Sequence, residues 1–363
     1  MNFLMPTEIV MGRECIRENA SIFARYGKKA MLVTGERSAR QNGSQADVIA
    51  ALESQGMEYI VFDRIMANPT VDIVYEGAIQ ARENAVQFII GIGGGSPMDA
   101  AKVIALLATQ DISRENLFGG VYENRILPMI MVPTTAGSGS EVTKYAILTN
   151  DVTQTKISVA TPLIFPNVAM LDAKYTETLT IKTTVNTAID ALSHSIEGML
   201  SKRANAISNL LAKESIRIIA ECFKELESGQ VSNVSRERLL YASSLGGMVI
   251  SQTGTVAVHA MGYSLTYFKN IDHGHANGLL MGEFLNYIKE FEPDLIAEIL
   301  SFMNMNVIDE FKEKMETLLE KTEKITGEEI EQYSKTAMKT GHIANCIVTL
   351  DFEGVKRIYE KSV

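Results

Sequence analysis

QFIIGIGGGSPMDAAKVIALLAT, residues 87–109, sets an unbroken apolar run against three glycines and then a segment whose apolar residues recur at helical spacing. An apolar run without polar alternation is the pattern of a strand buried on both faces, and Pro97 and Asp99 suit the first turn of a helix. Strand, glycine turn and helix make one βα step. Upstream, AMLVTG (30–35) and EYIVFD (58–63) bracket the helical pattern DVIAALESQG, and VDIVYEGAIQARENA separates EYIVFD from the glycine strand. Downstream, ILPMIMVPTTAGSGSE (126–141) supplies a fourth strand, and an extended stretch between Leu148 and Leu171 closes the series. Repeated βαβ units predict a buried parallel sheet with right-handed crossovers.

After Leu179 this grammar stops. TTVNTAIDALSHSIEGML, NLLAKESIRIIAECFKEL and RLLYASSLGGMVISQTG place apolar residues at helical spacing. The expectation is therefore an α/β nucleotide-binding domain over residues 1–180 and an all-helical domain over 181–363. At 363 residues, two cores are expected in any case. The formal charge of −10 disfavours a nucleic-acid partner. Cys15, Cys222 and Cys346 are odd in number and far apart, which fits a reducing compartment rather than a disulfide framework. With neither a leader pattern at MNFLMPTEIVMG nor a long apolar span, the chain reads as cytoplasmic and not membrane-bound.

Two polar, glycine-rich loops end neighbouring strands: GGGS (93–96) and PTTAGSGSE (133–141). A strand–helix junction offers free backbone N–H groups and the positive end of a helix dipole, and glycines let a pyrophosphate approach the main chain. Ligands of open α/β sheets bind at such carboxyl ends. The spacing is not GxGxxG, and the triplet follows the third strand rather than the first.

In the helical half Asp190 and His194, at i and i+4, share a helix face. His259 and His273 lie downstream, so three of the five histidines could join Asp190 around divalent iron or zinc. His275 competes with His273 for that role, and His342 stands in a separate segment.

FLMPTEIVMG, GGGSPMDAAK, PTTAGSGSEVT, DALSH, HAMGYSL, HGHAN and the terminal RIYEKSV occur in an order that resembles the iron-containing, group III alcohol dehydrogenases, over almost the whole length. The resemblance implies a dehydroquinate-synthase-like fold, with the active site in a cleft between the two domains and a homodimer or larger homo-oligomer. It implies that Asp190, His194, His259 and His273 bind Fe2+ or Zn2+. It further implies that Gly94, Gly95, Ser96 and Asp99 hold a pyrophosphate, while Thr134, Thr135, Ser138, Thr143 and Lys156 line the ribose and nicotinamide side. Three departures stand out. Tyr263 replaces a second histidine that many members carry, and is the one side chain left there as a proton relay; Ala188 replaces a glycine, and Cys346 follows Asn345 where proline is usual.

The expected reaction is hydride transfer between NAD(P)(H) and a small primary alcohol, diol or aldehyde, assisted by the metal. Members restricted to NAD often place Asp after the first strand, where this chain has Gly35. With Arg37 and Ser38 beside it, a 2′-phosphate can be admitted, so NADP(H) is expected to serve at least as well as NAD(H). Three alternatives remain: a zinc polyol dehydrogenase of the glycerol type, a dehydroquinate-synthase-like sugar-phosphate cyclase, and an inactive metabolite-binding protein. Retention of all four candidate ligands, the glycine loop and few neighbouring basic residues weighs against each.

Overall fold

Residues 3–150, 155–320 and 324–363 are described by the computed structural model. Among the described residues of the first half eight strands occur: β1 (Glu8–Met11), β2 (Lys29–Thr34), β3 (Glu58–Phe62), β4 (Phe88–Gly93), β5 (Met129–Pro133), β6 (Tyr145–Asn150), β7 (Thr155–Ala160) and β8 (Val168–Leu171). Side chains alternate across β2, and so do the two cores. Met31 and Val33 join one apolar cluster with the helices Val71–Glu83 and Gly95–Thr109, while Ala30 and Leu32 join another with the helix Ser44–Ser54. Apolar residues on both faces explain why the strands read as continuous runs rather than as alternating ones.

Six strands form one parallel sheet in the order β1-β8-β5-β4-β2-β3. β3 lies outside β2 on one side, and the chain then returns to lay β4 on the other. The order therefore reverses between β2 and β4, the place where open α/β sheets receive ligands. Two features differ from the expectation. The stretch 148–171 is not a single extended closure: β6 and β7 pair antiparallel as a separate hairpin before β8 enters the sheet, and residues 151–154 lie outside the described residues. β1 is an additional edge strand, four residues long and mostly exposed, too short to show a period.

The chain divides into two units between Leu179 and Thr180. Thr180 caps the helix Ile181–Met199, its hydroxyl accepting from the Thr183 N–H. This helix packs in the second unit against the helices Ala206–Glu221, Asn233–Thr253 and His273–Lys289. Close approach at its crossing with Asn233–Thr253 depends on two glycines. A Cβ on Gly198 would sit 2.1 Å from Val249 Cγ1, and one on Gly246 would sit 3.1 Å from the Ala191 carbonyl. No helix among the described residues is long and apolar enough to cross a membrane.

Gly198→Ala is expected to destabilise the protein by about 1–3 kcal/mol through this overpacking. Thermal unfolding should show a drop of several degrees, and adding Val249→Ala should recover part of it. Additive losses in the double variant would mean that the crossing is not the cause.

Candidate metal centre and nucleotide cradle

The Ile181–Met199 helix is buried along most of its length, so the polar residues it carries must find partners inside the protein. Asp190 is 8% exposed, and its Oδ1 faces three imidazoles. The Nε2 atoms of His194, His273 and His259 lie 3.8, 3.8 and 3.9 Å from that one oxygen. Asp190, His259 and His273 each offer a donor atom, all within 4.8 Å of one another. An ion with bonds of about 2.0–2.2 Å sets its donors roughly 3–4 Å apart. Asp190, His259 and His273 at these separations fit a divalent iron or zinc ion, and His194, 3.8 Å from the same Asp190 oxygen, stands next to that set without being one of the three that lie mutually within reach.

Local geometry explains how the donors meet. His259 opens the helix Ala257–Lys269 and His273 opens His273–Lys289, so two helix N-termini are brought to the middle of a third helix. Gly274 makes the second approach possible, because a Cβ there would stand 1.8 Å from the Asn186 carbonyl. Burial alone would push the Asp190 carboxyl up. His194, His273 and His259, with a hydrogen bond from Asn277, outweigh it and hold the group below the usual carboxylate range. For His259 burial acts downward on the charged ring, but Glu197 and then Asp190 raise it above the ordinary imidazole value.

Two polar residues that sequence reasoning missed complete the setting. Asn277, one turn after His273, donates its Nδ2 to Asp190 Oδ1 at 3.1 Å and stands 3.4 Å from the Nε2 atoms of both His259 and His273. Glu197 is fully buried, with Oε1 accepting from the N–H groups of Val256, Val258 and His259 and Oε2 paired with His259 Nδ1. Its spacing was a usable signal, since Asp190, His194 and Glu197 fall at i, i+4 and i+7 on one helix face.

The remaining histidines sort themselves. His275 turns away, its Nε2 meeting the Glu320 carbonyl at 2.9 Å, so it does not compete with His273. His342 does come near, its ring edge-on to Tyr263 at 5.8 Å and its Nδ1 2.9 Å from Thr255 Oγ1. Burial, and then the neighbouring His259, hold it below the ordinary imidazole value. Tyr263 itself stacks on His273, with ring centroids 5.5 Å apart. Asn345 donates to the carbonyls of Thr253 and Thr255, which ties down the loop leading to His259. Cys346, in the usual proline position, donates its N–H to Ile343.

In the first unit the carboxyl ends of β2, β4 and β5 lie side by side and carry Gly35, Gly94 to Ser96, and Thr134 to Ser138. The helix Gly95–Thr109 starts in the glycine run, so its first N–H groups face outward from the turn. The two loops touch: Cβ atoms on Gly94 and Gly95 would come within 3.1 Å of Thr135 and Ser138. Ser96 Oγ accepts from the Asn68 N–H. Arg37 and Ser38 are exposed beyond Gly35, and Lys156 sits half-buried on β7 opposite Thr149.

Asp99, Thr134 and Thr143 have different surroundings from those expected. Thr134 is buried, with its N–H on the Gly93 carbonyl. Asp99 accepts from Ser140 Oγ at 2.5 Å and from the Ile147 N–H at 2.8 Å. The fully buried Lys102 donates to Ser140 Oγ, Thr143 Oγ1 and the Tyr145 carbonyl at 2.8, 3.0 and 2.7 Å. Burial lowers this ammonium to about 8, with Asp99 and Glu141 opposing the shift. A carboxylate so engaged braces the second loop against the first and is badly suited to touching an anion. A lysine in the otherwise apolar run AAKVIALLA was the overlooked signal.

A parallel sheet with glycine-rich loops at its switch point in one unit, and a cluster of one carboxylate and several imidazoles in the other, are the parts expected of a nucleotide-using, metal-assisted oxidoreductase. The comparisons with known proteins make this specific. Residues 6–173 match the iron-containing alcohol dehydrogenase family and residues 184–363 its C-terminal region. The chain is 32% identical to the 1,3-propanediol dehydrogenase of Citrobacter freundii, over 84% of this chain and 78% of that one. It is 30% identical to the NADPH-dependent butanol dehydrogenase of Clostridium saccharobutylicum, over 82% and 76%. A solved iron-containing alcohol dehydrogenase of Thermotoga maritima superposes with a TM-score of 0.93 at 34% identity, covering 99% of both chains. The chain belongs to the iron-containing alcohol dehydrogenase family, and it is an NAD(P)-dependent oxidoreductase of small alcohols or aldehydes.

Gly95→Val should weaken binding of the nicotinamide cofactor at least tenfold, about 1.4 kcal/mol, while metal content stays the same. Valine there meets Ser138 and fills the space over the helix N-terminus. Isothermal titration with a folded variant is the measurement; unchanged affinity would make the loop only a turn.

Proposed function

We propose that Asp190, His194, His259 and His273 hold one catalytic divalent ion, Fe2+ in preference to Zn2+, and that the substrate is a small primary alcohol, a diol or the matching aldehyde. The observation that carries the reading is the single Asp190 oxygen with three imidazole Nε2 atoms 3.8–3.9 Å from it. When bound, the ion supplies Lewis acidity toward a substrate oxygen and the nicotinamide exchanges the hydride. The protein's own contribution is to hold these donors buried. His273, with 27% of its side chain exposed, is the most open of the four, and Tyr263 stacked upon it is the group best placed to exchange the alcohol proton. His342 and Thr255 extend that polar line.

Retention of four donors favours this reading over a polyol dehydrogenase that uses fewer. The three cysteines are free and buried, which supports a cytoplasmic setting. Replacing both Asp190 and His194 by alanine should abolish stoichiometric metal and lower kcat/KM about a thousandfold. Elemental analysis together with circular dichroism tests it. Full metal occupancy in the folded double variant would refute the assignment.

NADP(H) is the cofactor we expect to be used at least as well as NAD(H), and the NADPH dependence of the butanol dehydrogenase relative supports this. No carboxylate stands at Gly35, and Glu36 points outward with a side chain 76% exposed. Arg37 is equally exposed, 3.8 Å from Glu36, whereas Arg40 is committed to Asp63. Arg37 is therefore the cation nearest to hand for a 2′-phosphate. A Cβ at Gly35 would lie 3.3 Å from the Ile65 carbonyl, a fit that needs only a small adjustment. Gly35→Asp should move the ratio of kcat/KM values toward NAD(H) by about tenfold. A wild type strongly preferring NAD(H), with no response to the substitution, would overturn the preference.

A further inference from the structure

The His259 ring is held from both sides, and the two contacts require one tautomer. On its Nδ1 side lies Glu197, whose Oε2 has no proton to offer as a carboxylate, so Nδ1 must carry the hydrogen. On its Nε2 side lies the Asn277 amide, with Nδ2 3.4 Å away and able only to donate, so Nε2 must present its lone pair. Asp190 Oδ1 stands 3.9 Å beyond, in the same direction. We propose that Glu197 is a positioning residue that fixes His259 as the Nδ1–H tautomer and so aims a bare Nε2 at the metal site. The proposal rests on the reading of His259 as a ligand.

Glu197 does this from a place where it cannot move. Its other oxygen, Oε1, accepts from three backbone N–H groups at the start of the Ala257–Lys269 helix, at 3.0 Å from Val256 N, 2.9 Å from Val258 N and 3.3 Å from His259 N. One carboxylate thus serves as cap for the helix and as orienter for the first useful side chain on it, although it comes from another helix some 60 residues earlier in the sequence. The residue is fully buried. Capping alone asks only for an acceptor, whereas setting the tautomer asks for an acceptor on the second oxygen as well.

That difference makes the idea testable with glutamine. In Glu197→Gln the amide oxygen can still accept from the three N–H groups, but the amide nitrogen now donates toward His259 Nδ1. The ring is driven to the Nε2–H tautomer, which cannot bind a metal. The prediction is a folded protein, with thermal stability close to wild type, whose Zn2+ affinity, measured on metal-free protein by chelator competition, falls about 10- to 100-fold. Glu197→Ala should lose both stability and affinity. A second measurement stands even if neither variant folds: 15N-histidine NMR of metal-free wild type, at a pH alkaline enough for the ring to be neutral, should show the proton on Nδ1 of His259. Wild-type Zn2+ affinity in Glu197→Gln, or the proton on Nε2 in the wild type, would overturn the proposal. His259→Ala serves as the control. If it binds Zn2+ like the wild type, the ligand reading itself fails; if it loses Zn2+ while Glu197→Gln does not, only the positioning role fails.

Discussion

A carboxylate buried to 8% exposure is the constraint from which the helical unit is built. An isolated charge of this kind costs several kcal/mol after relaxation, and it persists only where opposite or hydrogen-bonding groups repay the cost. Around Asp190 the repayment comes from three imidazoles and one amide: His194 from its own helix, and His259, His273 and Asn277 from two others. Each of those partners then needs support of its own: His259 from Glu197, and Asn277 from the close approach at Gly262, where a Cβ would come 2.4 Å from its Oδ1. The small residues Gly262 and Gly274 are thus consequences of the same charge, since helices kept further apart could not gather these donors around a single oxygen.

The α/β unit solves its problem by other means. Its candidate ligand groups are backbone N–H groups exposed by a helix that begins in glycine, and side chains enter chiefly as braces. Asp99, Ser140, Thr143 and Lys102 form a buried network that joins the glycine helix to the loop after β5 and to the hairpin strand β6. An anion cradle made of main chain gains nothing from a nearby acid directed at it, which explains why this carboxylate is consumed internally. Every member of the network is hydrogen-bonded, as a buried polar cluster must be if it is to rigidify rather than weaken.

What could be read from the chain alone follows from where the information is local. Strands β2, β4 and β5 were legible because burial on both faces leaves runs such as FIIGIG without polar residues, and β3, at the sheet edge, was legible from its apolar run YIVF between helical patterns. The four candidate donors were legible because Asp190 and His194 share a face and histidines are few. β1 escaped because it is four residues, mostly exposed, at a sheet edge, and the β6–β7 hairpin escaped because the antiparallel pairing of an extended stretch is not written in its residues. Glu197, Asn277 and Lys102 were missed for a common reason. Each is a polar residue in an apolar or motif-rich segment that carries a local cue, but the main partners that give the cue its meaning lie 18 to 87 residues away, where spacing along the chain does not reach.

Polar residues of this buried type mark the points where the fold and the chemistry make the same demand. Glu197 is the sharpest case. Without an acceptor there, the Ala257–Lys269 helix would begin with three buried N–H groups lacking partners, a loss of roughly 1–3 kcal/mol for each. A hydroxyl cap on the helix itself would satisfy one of them at most. A carboxylate supplied from the neighbouring helix satisfies all three and still has an oxygen left for the imidazole. Stability therefore selects an acid at this position, while the second oxygen ties that choice to the tautomer of His259, so an isostere that keeps the three N–H contacts would still move the proton to the nitrogen that faces Asp190.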